Sequence, residues 1–148
     1  MSGFEARTLP PGALFVEGDE PLLVFPSISE AEACLEATDV EDGVYRTAYG
    51  PQGQPFEIHV QGQAVRIRAE AGENRPDALK ALLIRYFEAC GDPADEDEPL
   101  DVLVSRAWAI EHDHWERCGE GRARSNIPTW AYVTLILLAG AGLYLLVS

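Results

Sequence analysis

The stretch FEIHVQGQAVRIRAE, residues 56–70, decides how this chain folds. Phe56, Ile58 and Val60 alternate with Glu57, His59 and Gln61. Beyond a tight turn at Gln61-Gly62, Val65, Ile67 and Ala69 alternate with Arg66, Arg68 and Glu70. Successive strand residues point to opposite faces, so a period of two predicts a hairpin with one apolar and one wet face. Residues 44–49, rich in β-branched and aromatic side chains and closed by Gly50-Pro51-Gln52-Gly53, extend it to a three-stranded antiparallel meander. An apolar sheet face needs a cover. The expected cover is a helix over residues 76–90, where Leu79, Leu82, Leu83, Tyr86, Phe87 and Cys90 form a broad stripe. Pro76 at its start and Gly91 just past its end match the asymmetry of helix termini.

Upstream, residues 13–16 and 22–25 are apolar runs separated by Gly18-Asp19-Glu20-Pro21, the pattern of a second hairpin. SISEAEACLEATDV, residues 27–40, opens with a Ser-x-x-Glu capping box, either Ser27 with Glu30 or Ser29 with Glu32. Ile28, Ala31 and Leu35 follow at helical spacing, predicting one helix that ends near Asp39. Downstream, an acidic run precedes residues 100–118, where Leu100, Leu103, Val104, Ala107, Trp108 and Trp115 predict a further helix. The expected fold class is α+β: a small antiparallel sheet packed by two or three helices.

The chain has 148 residues, 25 of them acidic against 11 Lys and Arg, for a net charge of -14. That balance excludes nucleic acid as a partner, since phosphate binding needs a cationic footprint. A hydrophobic fraction of 47% excludes wholesale disorder. The apolar residues are concentrated at one end. IPTWAYVTLILLAGAGLYLLV, residues 127–147, holds 21 residues without a charge, and at about 1.5 Å per residue it matches a bilayer core. Trp130 and Tyr132 lie near its first end and Tyr144 near its second, where amphipathic rings favour the interface. A C-terminal transmembrane helix is expected there. Arg117, Arg122 and Arg124 precede it, and cationic flanks favour the cytoplasmic side.

The N-terminus lacks a basic start followed by a long apolar core, so no secretory signal is expected. The expected layout is therefore an acidic cytoplasmic domain over residues 1–118, a juxtamembrane linker over 119–126 and a single-pass tail anchor over 127–147 in a bacterial inner membrane. Residues 1–116 carry 24 acidic and 8 basic side chains. Such a domain is repelled by anionic lipid, while Arg117, Arg122 and Arg124 suit the headgroups.

No phosphate loop, zinc-protease motif, nucleophile elbow or CxxC pair occurs in the sequence. The best local cluster is Glu111-His112-Asp113-His114-Trp115-Glu116. Glu111 with His114, or His112 with Glu116, could share a helical face toward a metal, but a polar helix end with interleaved cations and anions is the better reading of the cluster. No metal or cofactor is expected. Cys34, Cys90 and Cys118 form no close pairs, so reduced thiols are expected, with Cys34 and Cys90 buried in helices. The run from Asp92 to Glu98 holds five carboxylates, Asp92, Asp95, Glu96, Asp97 and Glu98, and lacks the glycine of a calcium loop. A solvated loop of this kind can steer a basic protein partner. Tyr45, Tyr49, Trp108 and Trp115 are candidates for core or interface. Tyr45, Glu57 and His59, with Arg66, mark the wet sheet face as a second candidate surface.

LEATDVEDGVY, residues 35–45, followed by YRTAYGPQGQPFEI, residues 45–58, resembles small bacterial α+β proteins thought to be immunity proteins of polymorphic toxins or secretion systems. The resemblance runs over residues 23–91, about half of the chain. It implies a non-enzymatic protein that neutralises a toxin by direct contact, and it carries no catalytic residue across. The membrane tail and the helix over residues 100–118 are additions to that pattern. With them, the expectation is a membrane-tethered immunity protein. The alternative is an accessory or scaffold subunit of an inner-membrane complex assembled through its tail helix, where Ala139-Gly140-Ala141-Gly142 offers a small-residue surface.

Overall fold

A computed structural model describes residues 8–19 and 21–111. Its centre is a curled five-stranded antiparallel sheet made of β1 (Leu14–Glu17), β2 (Leu23–Phe25), β3 (Thr47–Tyr49), β4 (Pro55–Gln61) and β5 (Ala64–Ala69). The order across the sheet is β2-β1-β3-β4-β5. Both expected hairpins form, and β1 joins them by pairing with β3. The helices are α1 (Ile28–Cys34), α2 (Ala37–Glu41), α3 (Pro76–Ala89) and α4, which is helical from residue 100 to the last described residue, 111.

Register assigns the two faces. Leu14 lies opposite Phe25, Val16 opposite Ala48, Ala48 opposite Phe56 and Ile58 opposite Ile67, so these side chains share one face. Phe15, Val24 and Tyr49 lie on the other. The expectation that α3 covers the apolar face of the β4–β5 hairpin is overturned: α1 and α2 pack there. Its apolar stripe instead joins Phe15, Val24 and Tyr49 on the opposite face, together with Leu103, Val104, Ala107 and Trp108 of α4. Both faces of the β2-β1-β3 half are therefore covered, while the outer face of β4–β5 keeps its charged residues. Each large side chain buried in these layers contributes roughly 1.5–3 kcal/mol before entropy is set against it.

The single helix expected over residues 28–39 is two. Ser27 caps α1, its Oγ accepting from the Glu30 N–H at 3.2 Å. Leu35 and Glu36 then adopt extended backbone, which buries Leu35 and redirects the chain into α2. The bend lets α1 reach both β2 and β5, at opposite edges of the sheet, and lets α2 lie over β4. The strand expected from residue 44 begins only at Thr47. The Val44 N–H instead donates to Asp39 O at 2.9 Å, holding that segment against the end of α2.

Gly53 fixes the start of α3. At φ +81, a Cβ there would lie 2.5 Å from Pro76 N, and Gly53 O accepts the Arg75 N–H at 2.7 Å. Gly91, at φ +76, ends the same helix.

Candidate partner-binding surfaces

The acidic run forms the connection between α3 and α4, and its ends are held rather than loose. Arg106, on α4, lies with its guanidinium 4.2 Å from the centroid of the Phe87 ring on α3. From there its Nη2 donates to Asp92 Oδ2 at 2.8 Å and to the Asp92 carbonyl at 3.0 Å, while Nη1 donates to Glu98 Oε2 at 3.3 Å. One planar cation thus ties the first and last carboxylates of the run to the helix pair, using the fork geometry that lysine lacks. Between them, the Asp97 N–H donates to Asp95 Oδ1 at 3.3 Å and the Glu98 N–H to Asp95 O at 3.1 Å, closing a turn. Asp95, Glu96 and Asp97 are exposed, and no cation among the described residues pairs with them. The five carboxylates therefore divide into two that hold the loop and three that face solvent.

The second surface is the outer face of β4–β5. Glu57 lies opposite Arg68 and His59 opposite Arg66, so acidic, imidazole and cationic groups share one patch. Glu57, Arg66 and Arg68 are exposed, and Arg68 makes no ion pair among the described residues. His59 is half-buried, and its Nδ1 is shielded without a hydrogen-bond partner there. Tyr45 is turned elsewhere: its hydroxyl donates to Asp39 Oδ2 of α2 at 3.4 Å. Tyr49 and Trp108 are buried core residues.

Glu111 is used locally. Its Oε1 accepts the Tyr86 hydroxyl at 2.7 Å, and burial, that hydrogen bond and the nearby carboxylate together raise the Tyr86 hydroxyl well above the ordinary phenol range. Among the described residues, no three His, Cys, Asp or Glu side chains are arranged to hold a metal. His112, His114, Glu116, Trp115 and Cys118 lie outside those residues, as do the membrane-interface candidates Arg117, Arg122, Arg124, Trp130, Tyr132 and Tyr144. No helix among the described residues is long and apolar enough to cross a membrane. The expected burial of both helical cysteines does not hold: Cys34 is half-buried, and Cys90, at the end of α3, is exposed. A cleft of about 370 Å³ lies beside the β3–β4 turn, lined by Leu9, Pro10, Gln52, Gln54 and Asn74 among others. None of the described residues lining it is ionisable.

Sequence reasoning missed the Arg106 clamp. The available signal was isolation, because Arg106 is the only Lys or Arg between Arg85 and Arg117 and follows a run of carboxylates. No family model, curated protein or solved structure matches the chain.

Proposed function

We propose that this chain is a membrane-tethered immunity protein that masks a toxin by direct contact and catalyses no reaction. The observation that carries the reading is the held acidic loop. Anchoring Asp92 and Glu98 on Arg106 leaves Asp95, Glu96 and Asp97 exposed on a segment whose ends are fixed. A pre-ordered loop loses less conformational freedom on binding than a loose one, and exposed carboxylates accelerate encounter with a basic protein. Toxins that attack nucleic acid need a cationic surface for their substrate, and an acidic partner competes for that surface.

Two features of the sequence support the remainder. The uncharged residues 127–147, preceded by Arg117, Arg122 and Arg124, suit a single-pass anchor with the acidic domain in the cytoplasm. The resemblance over residues 23–91 supports neutralisation by binding. Co-expression with the product of the adjacent gene tests the reading. The expected result is a stoichiometric complex and survival of cells that the adjacent product alone kills. Cell death despite full expression of this chain, with no complex recovered, would overturn it.

A further inference from the structure

Among the described residues the sheet has two free edges, and they differ. β2 is three residues long and is bracketed by Pro21 and Pro26, so it offers an incoming strand little to pair with. β5 is six residues long, pairs with β4 along its whole length and, among the described residues, has no strand on its other side. Such an edge is a template for another strand.

Its midpoint is filled by side chains. The Ile67 N–H points away from β4 and donates to Glu32 Oε1 of α1 at 2.8 Å. Arg66 Nη1 donates to the Val65 carbonyl at 3.2 Å and lies 3.5 Å from Glu32 Oε2. One ion pair thereby satisfies a donor and an acceptor on either side of Arg66, in the place where a sixth strand would supply a carbonyl and an amide. Unmade backbone bonds at an edge drive pairing, and here two of them are already made.

We infer that the Glu32–Arg66 pair keeps the β5 edge closed against β5 of a second copy of this chain. A second copy is the relevant occupant because the strand is regular and carries Val65, Ile67 and Ala69 on one face, so it can pair with itself antiparallel about Ile67. That register sets Arg66 of each copy opposite Arg68 of the other, and like charges directly opposed are unfavourable. The edge thus has two locks: its central hydrogen bonds are occupied, and its exposed cations repel their own images. The inference stands apart from the toxin-binding reading, which rests on the acidic loop, since it involves no residue of that loop.

The test uses the full chain in one neutral detergent for every variant, so that any association through residues 127–147 is common to all. Sedimentation over a hundredfold concentration range is compared for the wild type, Glu32→Gln, Glu32→Ala and the double variant Glu32→Ala with Arg68→Glu. Glu32→Gln keeps an amide oxygen for the Ile67 N–H but loses the ion pair with Arg66, and falls between the wild type and Glu32→Ala. The double variant frees the edge and replaces both Arg–Arg oppositions by opposite charges, lowering the self-association constant for dissociation at least tenfold. Glu32→Ala alone shows part of that shift at 0.5 M salt, where the Debye length of about 4 Å screens the cations. Native circular dichroism with unchanged sedimentation in both Ala variants would overturn the inference. Amide exchange at Ile67 in the wild type decides independently of how the variants fold: protection at low protein concentration is expected, and exchange as fast as in an open edge strand would overturn it.

Discussion

Truncating Arg106 to alanine should loosen the acidic loop and destabilise the domain, and the geometry sets the size. The Asp92 carboxylate is 73% exposed, so its ion pair contributes only about 0.5 kcal/mol. Glu98 and Arg106 are 22% and 27% exposed, which places their pair near about 1 kcal/mol, the upper end for surface pairs. The guanidinium over Phe87 contributes about 0.5–1 kcal/mol, and its bond to the Asp92 carbonyl about 1 kcal/mol. Arg106→Ala should therefore cost about 3 kcal/mol in urea denaturation, with little change in the dependence on denaturant. Arg106→Lys should recover less than half, because an ammonium keeps the charge but neither the fork nor the planar stack. Asp92→Asn alone should cost under about 0.5 kcal/mol, given its exposure. Amide exchange over residues 92–98 should accelerate in Arg106→Ala. A variant within about 0.5 kcal/mol of wild type, with unchanged exchange in that loop, would refute the clamp.

Gly53→Ala should cost more than about 2 kcal/mol, because it combines φ +81 with backbone atoms of Pro76 and Arg75 within 2.7 Å of the new Cβ. Gly62→Ala, at φ +68 with nothing within 4 Å, should cost only about 1 kcal/mol, and equal losses in the two thermal melts would contradict the close packing at the α3 start. Tyr86 supplies a pH signature. Its hydroxyl ionises harder in the folded state than in the unfolded one, so the stability it contributes is complete below about pH 10 and declines as pH rises above it. Tyr86→Phe should lose about 1–2 kcal/mol at neutral pH through the broken bond to Glu111, yet show a shallower alkaline decline than wild type. Parallel alkaline profiles would sink that assignment.

The parts of the fold legible in the sequence are those written in local order. Alternation over residues 56–70 gave β4 and β5 with their wet face, the Ser27–Glu30 box gave the start of α1, and Pro76 with Gly91 bounded α3. What stayed hidden depends on partners distant along the chain. An apolar stripe on α3 reports that a face is buried but not against which side of a sheet, and here it chose Phe15 and Val24 over Val65 and Ile67. The break at Leu35-Glu36 carries no glycine or proline, since it arises from burying Leu35 while α2 turns onto β4. Of the candidate surfaces, the exposure of Glu57 and Arg66 followed from period two, whereas the division of the acidic run did not. Asp92, Glu98 and Arg106 meet only because α3 and α4 pack side by side and bring Phe87 beneath the guanidinium.

The central claim is that Asp95, Glu96 and Asp97 guide a basic toxin onto this domain, and association kinetics test it most directly. Stopped-flow rates would be measured with the adjacent gene's product for the wild type and for a variant carrying Asp95→Asn, Glu96→Gln and Asp97→Asn. Steering by exposed charge acts on the on-rate, while buried contacts set the off-rate. The account predicts association at least tenfold slower in the variant at 0.05 M salt, with dissociation nearly unchanged. It also predicts that the difference closes as salt approaches 1 M, where the Debye length falls to about 3 Å. Stability should stay at the wild-type value, because Arg106 still holds Asp92 and Glu98. Equal association rates at low salt would contradict the claim and remove the acidic loop from the interface.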